Sequence, residues 1–347
     1  MLLLPISIQY INRNSNQELD EQRKLAEFPP LEIDSIPSLP KKIEDYFNDH
    51  FGLRSTLFNW GVKIKYQIFN SSPKSEKVVI GKDGWLFLTG RFYEVTQDIN
   101  RENLFSNDSL VRSVKIWEGR KKELFDLGIN YYKSFWPDKY YIYPEMMPNA
   151  MQMANKTTLW RCDQAINYLD SINSAIKIID VRQQLLTLKP FIPVHYKLDS
   201  HWNNFGAFIG YSELIKVICK DLKNIKPLSL QDFNIVWSPK SKGDLATILN
   251  VEGQDLEVTF NKKFSSNIEK MNADSFPKRT EIYLNHNNPN GPKALIYRDS
   301  YTNALIPFLM ENFSEAVLIW DTPYSIEMVK RVKPNLVIEC YASRYFK

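Results

Sequence analysis

The sequence predicts an α/β protein, with a mainly parallel sheet and helices on both faces. Three observations predict it. From Ala294 the chain alternates strand 294–297, helix 302–313, strand 316–320, helix 324–332 and strand 335–340. That β-α-β-α-β order is how parallel strands are joined. Earlier, a helix over 107–127 leads into a strand over 128–135, which ends at the polar loop Trp136-Pro137-Asp138-Lys139. A second unit follows, helix 157–174 and strand 176–181. Doubly wound sheets build their sites from loops of this kind.

The elements follow in order. Met1-Leu2-Leu3-Leu4-Pro5-Ile6-Ser7-Ile8 is apolar. It is shorter than the roughly 20 residues that span a bilayer. It also lacks the basic start and cleavage site of a signal peptide. Residues 12–40 are polar and marked by Pro29, Pro30, Pro37 and Pro40, an extended lead-in. Ile43, Tyr46, Phe47, Phe51, Leu57, Trp60, Ile64 and Ile68 recur at three to four, predicting helix over 41–70, broken near Gly52. Residues 78–88 read as a hairpin with Lys82-Asp83-Gly84 as its turn. Leu110, Val114, Trp117 and Leu124 share one face of the helix over 107–127. Phe205, Phe208, Ile209, Leu214, Ile215 and Ile218 do so over 203–220, with Asn203 or Asn204 as cap. Residues 223–290 carry four prolines and poor periodicity, and read as an irregular insertion with short strands.

Composition narrows the function. The 347 residues carry a net charge of +4 and no block of Lys or Arg, which argues against nucleic acid. Cys162, Cys219 and Cys340 stand far apart, so no zinc spacing exists. Cys219 and Cys340 lie in apolar elements and read as buried thiols. Tyr (18), Phe (20) and Trp (8) are plentiful. Most must be core, but exposed ones suit stacking on sugars.

The chemistry centres on Lys197-Leu198-Asp199-Ser200-His201-Trp202. Asp199 and His201 stand on a loop entering a helix. A carboxylate that fixes one imidazole nitrogen leaves the other free to take a proton. The missing nucleophile is Ser300, placed after the strand Ala294-Leu295-Ile296-Tyr297 and before a helix. A serine there ordinarily caps the helix. The same turn also exposes a hydroxyl beside free N–H groups that can stabilise an oxyanion. Asp299 reads as structural. His195 beside His201 could invite a metal, but no partner ligand has the spacing, so neither metal nor cofactor is expected.

These motifs resemble the SGNH-hydrolase-like proteins of bacterial polysaccharide O-acetylation, the alginate acetyltransferase AlgJ and AlgX type, with DHHW-like proteins. The resemblance rests on Asp199-x-His201-Trp202 with Asp299-Ser300 downstream, and on further stretches in the same order. These are Arg23 to Pro29, Tyr46 to Arg54, Lys82 to Phe87, Pro137-Asp138-Lys139, Gly243-Asp244-Leu245-Ala246, Arg298 to Leu309 and Lys333 to Glu339. It implies a flavodoxin-like sheet over 41–347 with the insertion at about 223–290, after the lead-in over 1–40. It implies Ser300 as nucleophile, His201 as base and Asp199 as its orienting acid. Members carry a signal or membrane anchor, act in the periplasm or cell envelope, and work with a membrane-bound O-acyltransferase that supplies acetyl groups. The N-terminus is accordingly expected to be the tail of an inner-membrane anchor, the other reading being a simple frayed terminus.

There are departures from the ordinary SGNH pattern. The motif order is circularly permuted, Arg298 replaces a glycine, and one residue rather than two separates Asp199 from His201. The usual oxyanion Gly and Asn do not map onto this sequence, so those roles stay open. With the sequence closing on its last strand, no counterpart of the carbohydrate-binding module that closes AlgX is expected, and the AlgJ type is the closer expectation. Arg298, Tyr301, Trp202 and Lys139 are expected to contact substrate, with Trp136, Trp202 and Tyr301 walling an acceptor cleft. The expectation is a serine-dependent O-acetyltransferase acting on an exported polysaccharide. The alternatives are an acetylesterase with the same three residues, and a non-catalytic polymer-binding scaffold.

Overall fold

The structure is a computed structural model. It describes residues 26–30, 37–50, 57, 60, 61, 64, 72 and 74–345, apart from 91–94, 154–158 and 321–322. The apolar N-terminus, and most of the predicted helix after residue 50, lie outside the described residues. Two compact units emerge, residues 1–73 with 249–251, and residues 74–248 with 252–347. In the first, α1 (Leu39–His50) stacks Tyr46 on His50 at 4.1 Å. Phe28 meets Tyr46 edge-on at 5.2 Å, and the Ala26 N–H donates to Asp49.

The second unit is built on a seven-stranded sheet of order β4-β3-β11-β9-β10-β8-β7. Its strands are β3 (Asn130–Trp136), β4 (Ile178–Asp180), β7 (Ile268–Met271), β8 (Thr280–Asn285), β9 (Lys293–Arg298), β10 (Glu315–Trp320) and β11 (Leu336–Ala342). The pairings from β4 to β10 are parallel, and those of β8 with β10 and β7 are antiparallel. The predicted fold class is the observed one. β9 is the middle strand, and its Ala294, Leu295, Ile296 and Tyr297 are wholly buried. Such a run belongs to a strand covered on both faces.

Alternation divides β9 between two cores. Ala294 and Ile296 face one that includes Phe205, Phe208, Tyr211 and Leu214 of α4 (Asn204–Asp221). Leu295 and Tyr297 face another that includes Met328, Val329 and Val332 of α7 (Ile326–Val332). α2 (Asn107–Asp126) and α3 (Arg161–Ser171) complete the predicted helix-strand units. The hairpin of β1 (Val78–Ile80) and β2 (Leu86–Leu88) also forms as predicted. Its turn places Asp83 and Gly84 at positive φ.

Residues 223–290 hold short strands, as expected, with irregular stretches between them. β5 (Phe233–Lys240) and β6 (Asp255–Lys262) pair over their full length, and β7 and β8 extend the main sheet. Polar residues on the open faces hide the strand signal, while the buried faces bring Phe233 and Phe260 against Phe208 and Phe308. The expected helix over 302–313 is instead a 3₁₀ turn, Ser300–Ala304, followed by the short α6, Ile306–Leu309. Pro307 has no N–H to continue a helix from the preceding turn. Cys219 is only half-buried, whereas Cys340 is buried as expected. Among the described residues, no helix is long and apolar enough to cross a membrane.

Candidate active site

The loop carrying Asp199 and His201 is pinched at its neck. His195 and Trp202 form an antiparallel bridge, and the Asn203 N–H donates to the Val194 carbonyl at 3.1 Å. Asn203 then caps α4, its side chain accepting from the Gly206 N–H at 2.9 Å. Residues 196–201 are thus held out as a short loop at the start of a rigid helix.

Within it, Asp199 Oδ1 accepts from His201 Nδ1 at 2.7 Å and from the His201 N–H at 3.1 Å. Oδ2 accepts from the Asp244 N–H at 3.0 Å. His201 Nε2 lies 2.8 Å from Ser300 Oγ. A carboxylate only accepts, so Nδ1 carries the proton and Nε2 takes the Ser300 hydroxyl hydrogen. Burial raises the Asp199 pKa, but the hydrogen bond and charge of His201, with the backbone donors, outweigh it. The carboxyl is held well below its usual range. Side chains 99 residues apart in the sequence thereby form one continuous relay.

Ser300 stands where β9 stops. Asp299, not Ser300, caps the turn: its Oδ1 accepts from the Tyr301 N–H at 2.9 Å. Its Oδ2 accepts from the Ala342 N–H of the neighbouring strand at 2.6 Å. Burial pushes Asp299 up to about 6. With the cap supplied by its neighbour, the Ser300 hydroxyl is left to His201.

Three of the sequence motifs converge on the loop. Lys139, from Pro137-Asp138-Lys139, donates from Nζ to the carbonyls of Tyr196, Lys197 and Asp199 at 2.9, 3.2 and 2.6 Å. From the hairpin, the Leu86 N–H donates to Lys197 O at 3.0 Å, and the rings of Trp85 and Phe87 lie 5.6 and 5.3 Å from the Lys139 ammonium. From Gly243-Asp244-Leu245-Ala246, which opens α5 (Asp244–Leu249), the Asp244 carboxylate takes the Ser200 N–H at 2.7 Å and its hydroxyl at 2.5 Å. The Ala246 N–H donates to Leu198 O.

Two of the predicted substrate contacts, Lys139 and Arg298, do not line the cavity at Ser300. Lys139 and Arg298 are each 2 % exposed, and their charges are taken up internally. Arg298 donates to Glu281 and to Asn303. Trp202 and Tyr301 border the cavity at Ser300, but both are buried. Trp202 Nε1 donates to Tyr301 O at 3.0 Å, and the Tyr301 hydroxyl to Ser200 O at 2.9 Å. Trp136 is wholly buried and packs on Trp202. These rings form the floor beneath the relay and are not an open stacking surface.

Two contributors carry no signal strong enough to single them out in the sequence. Asp244 lies in a quoted motif but 45 residues from Asp199, so only the tertiary structure pairs them. Asn303 stands one turn beyond Ser300, on the cavity wall. Among the described residues, one group could offer three ligand atoms to a cation: Asp199, His201 and Asp244, within 4.8 Å of one another. Protein donors already engage every carboxylate oxygen in it. A cation would have to displace them.

Comparison with known proteins agrees with this architecture. PatB1 of Bacillus cereus superposes with a TM-score of 0.54 at 16% identity, over 77% of this chain and 95% of that one. A second PatB1 structure, with a sulfonyl adduct, gives 0.55 at 16% identity over 78% and 95%. At such identity the likeness is one of fold. The probable alginate O-acetylase AlgJ of Pseudomonas aeruginosa is 27% identical over 169 residues, 49% of this chain but only 39% of that protein. Residues 78–289, more than half of the chain, match the family described as SGNH hydrolase-like domain, acetyltransferase AlgX. The chain belongs to that family.

Proposed function

We propose that this protein is a serine-dependent O-acetyltransferase acting on an exported bacterial polysaccharide. The observation that carries the reading is the unbroken Asp199–His201–Ser300 relay beside a cavity at the end of the central strand. Family membership supports acetyl transfer, and the relative's name, alginate O-acetylase, supports a polymer acceptor.

In the first half-reaction, Ser300 Oγ bonds to the carbonyl carbon of the acetyl donor as His201 Nε2 takes its proton. The carbonyl electrons move onto oxygen. The oxyanion then collapses, the bond to the leaving group breaks, and His201 returns the proton to it. Acetyl-Ser300 remains. A sugar hydroxyl next attacks that ester while His201 takes the hydroxyl proton and passes it to Ser300. Asp199 fixes the ring and offsets the imidazolium charge in both halves. No cofactor is needed for these steps. A membrane-bound O-acyltransferase as donor, and a periplasmic or envelope location, complete the proposal.

The test uses purified protein, an activated acetyl ester and a panel of de-acetylated oligosaccharides. Mass spectrometry should find acetyl groups on sugar with wild type, an acetylated Ser300 peptide before sugar is added, and neither with Ser300→Ala. Acetylated polymers that lose acetyl while none gain it would replace the reading by an esterase. An active Ser300→Ala would end it.

A further inference from the structure

We infer that Asn303 donates from Nδ2 to the oxyanion formed at Ser300, and that Arg298 holds it in that orientation. The inference rests on the acetyl-transfer reading above and supplies the donor which the family pattern leaves unassigned in this sequence.

Two asparagine side chains border the cavity beside Ser300 and His201, Asn204 and Asn303. They present opposite polarity. The atom of Asn204 that faces the Val258 carbonyl, at 2.8 Å, must be its NH₂ group, because a carbonyl only accepts. The remaining group of Asn204 is therefore its oxygen. The atom of Asn303 that faces the Arg298 guanidinium must be its oxygen, because arginine only donates. The remaining group of Asn303 is its NH₂, with two hydrogens. The partners fix each amide, so neither assignment depends on telling nitrogen from oxygen by shape.

Arg298 is itself fixed. It is 2 % exposed, ion-paired to Glu281, and its guanidinium lies 4.4 Å from the centre of the Trp320 ring. Glu281 is held in turn by Lys270. The chain Lys270–Glu281–Arg298–Asn303 thus runs from the antiparallel edge of the sheet to the first turn after Ser300. An arginine where the ordinary pattern has glycine acquires a physical reason, because it sets the direction of an amide three residues past the nucleophile. Preorganisation of this kind is what an oxyanion donor requires, since a donor that need not reorient stabilises charge as it develops. When Ser300 Oγ bonds to the acetyl carbon, the carbonyl electron pair moves onto oxygen and Nδ2–H meets it. When the leaving group departs, the pair returns and the hydrogen bond weakens. Asn204, presenting an acceptor, suits a hydroxyl of the incoming sugar and not an anion.

The test pairs two substitutions with 4-nitrophenyl acetate as probe. Asn303→Ala removes donor and acceptor together. Asn303→Asp keeps an acceptor for Arg298 but leaves no donor. Both should lower kcat by about 10²-fold or more, with KM little changed. Arg298→Met, which frees the amide to turn, should also lower kcat at steady KM. If Asn303→Asp matches wild type while Asn303→Ala fails, Asn303 merely anchors Arg298, and the inference is wrong. Near-normal kcat in Asn303→Ala overturns it equally. Ser300→Ala separates the layers: an inactive Ser300→Ala beside an active Asn303→Ala removes only the oxyanion donor, whereas an active Ser300→Ala removes the serine mechanism.

Discussion

The Lys139 ammonium donates to the main-chain carbonyl of Asp199 at 2.6 Å, so the carboxylate is positioned through its own backbone. Burial pushes the Lys139 pKa down to about 8, with nearby carboxylates opposing the shift. Below that pH it keeps three hydrogens, one for each of the three carbonyls it meets. Lys139→Met preserves much of the stem but strands the Tyr196 and Asp199 carbonyls, while Lys197 O keeps the Leu86 N–H. Buried acceptors left without partners cost about 1–3 kcal/mol each before relaxation. The expected result is a loss of roughly 2–4 kcal/mol in urea unfolding, with at least about a tenfold fall in kcat/KM for the folded protein. Wild-type stability and activity would show that the loop holds without it.

Gly243 is the second support. A Cβ there would lie 2.5 Å from Leu198 O and 2.8 Å from Asp199 Cβ. Both neighbours belong to the relay loop, and one is backbone, so the loop must shift. Gly243→Ala should therefore lower kcat more than it lowers the melting temperature. A shift of even about 1 Å at a reacting group costs on the order of 10²-fold. The comparison to make is kcat against thermal midpoint, and a large drop in midpoint at unaltered kcat would assign Gly243 to stability alone.

The sheet was legible because its strands are apolar on both faces: Ala294 to Tyr297 and Leu336 to Ile338 can hardly be anything else. The nearness of Ser300 to His201 was legible only through the type and order of the motifs, since nothing local links positions 99 residues apart. Burial of Lys139 and Arg298 was not legible. A charge at a strand end reads as a ligand contact, and only the surrounding carbonyls and Glu281 reveal an internal partner. The pairing of β5 with β6 was not legible, for the converse reason. One face is packed on aromatic residues from distant elements, and its sequence alone gives little sign of that.

A pH effect follows from Asp98, whose Oδ2 accepts from the hydroxyls of Tyr140 and Tyr141 at 2.6 and 3.0 Å. Burial raises it to about 6, against 3.8 as an ordinary aspartate. Between those values the folded protein holds the extra proton, so stability falls as pH rises from about 4 to about 6. This is the reverse of Asp199, whose depressed pKa makes its contribution disappear as pH falls. Asp98→Asn keeps an acceptor for both tyrosines and does not titrate. Relative to wild type it should gain up to about 3 kcal/mol between pH 4 and pH 7. Parallel urea-stability profiles for the two proteins across that range would refute the buried proton.

Two carboxylates face His201 Nδ1, and they should differ sharply in importance. Asp199 Oδ1 is 2.7 Å away and Asp244 Oδ2 is 3.5 Å away. The single hydrogen on Nδ1 goes to the nearer oxygen. Asp244 instead directs its two oxygens at Ser200, and its pKa is raised by burial and by the neighbouring Asp199 charge. In Asp199→Asn the amide NH₂ opposes an N–H whichever way it turns, the His201 N–H and Nδ1 hydrogen at the Oδ1 position or the Asp244 N–H at the Oδ2 position. The first of these favours the other tautomer, placing a hydrogen on Nε2, where the base must be empty. Related relays lose about 10⁴ in kcat on that change. In Asp244→Asn the amide oxygen still accepts from the Ser200 N–H, and the Ser200 hydroxyl can accept from the new NH₂ group. Only a charge beside the forming imidazolium disappears, so kcat should fall by no more than about tenfold. Steady-state rates of both variants with one activated acetyl ester decide the matter. Equal losses would mean that the two carboxylates act as a single unit on His201, and a larger loss for Asp244→Asn would make Asp244 the residue that orients the base.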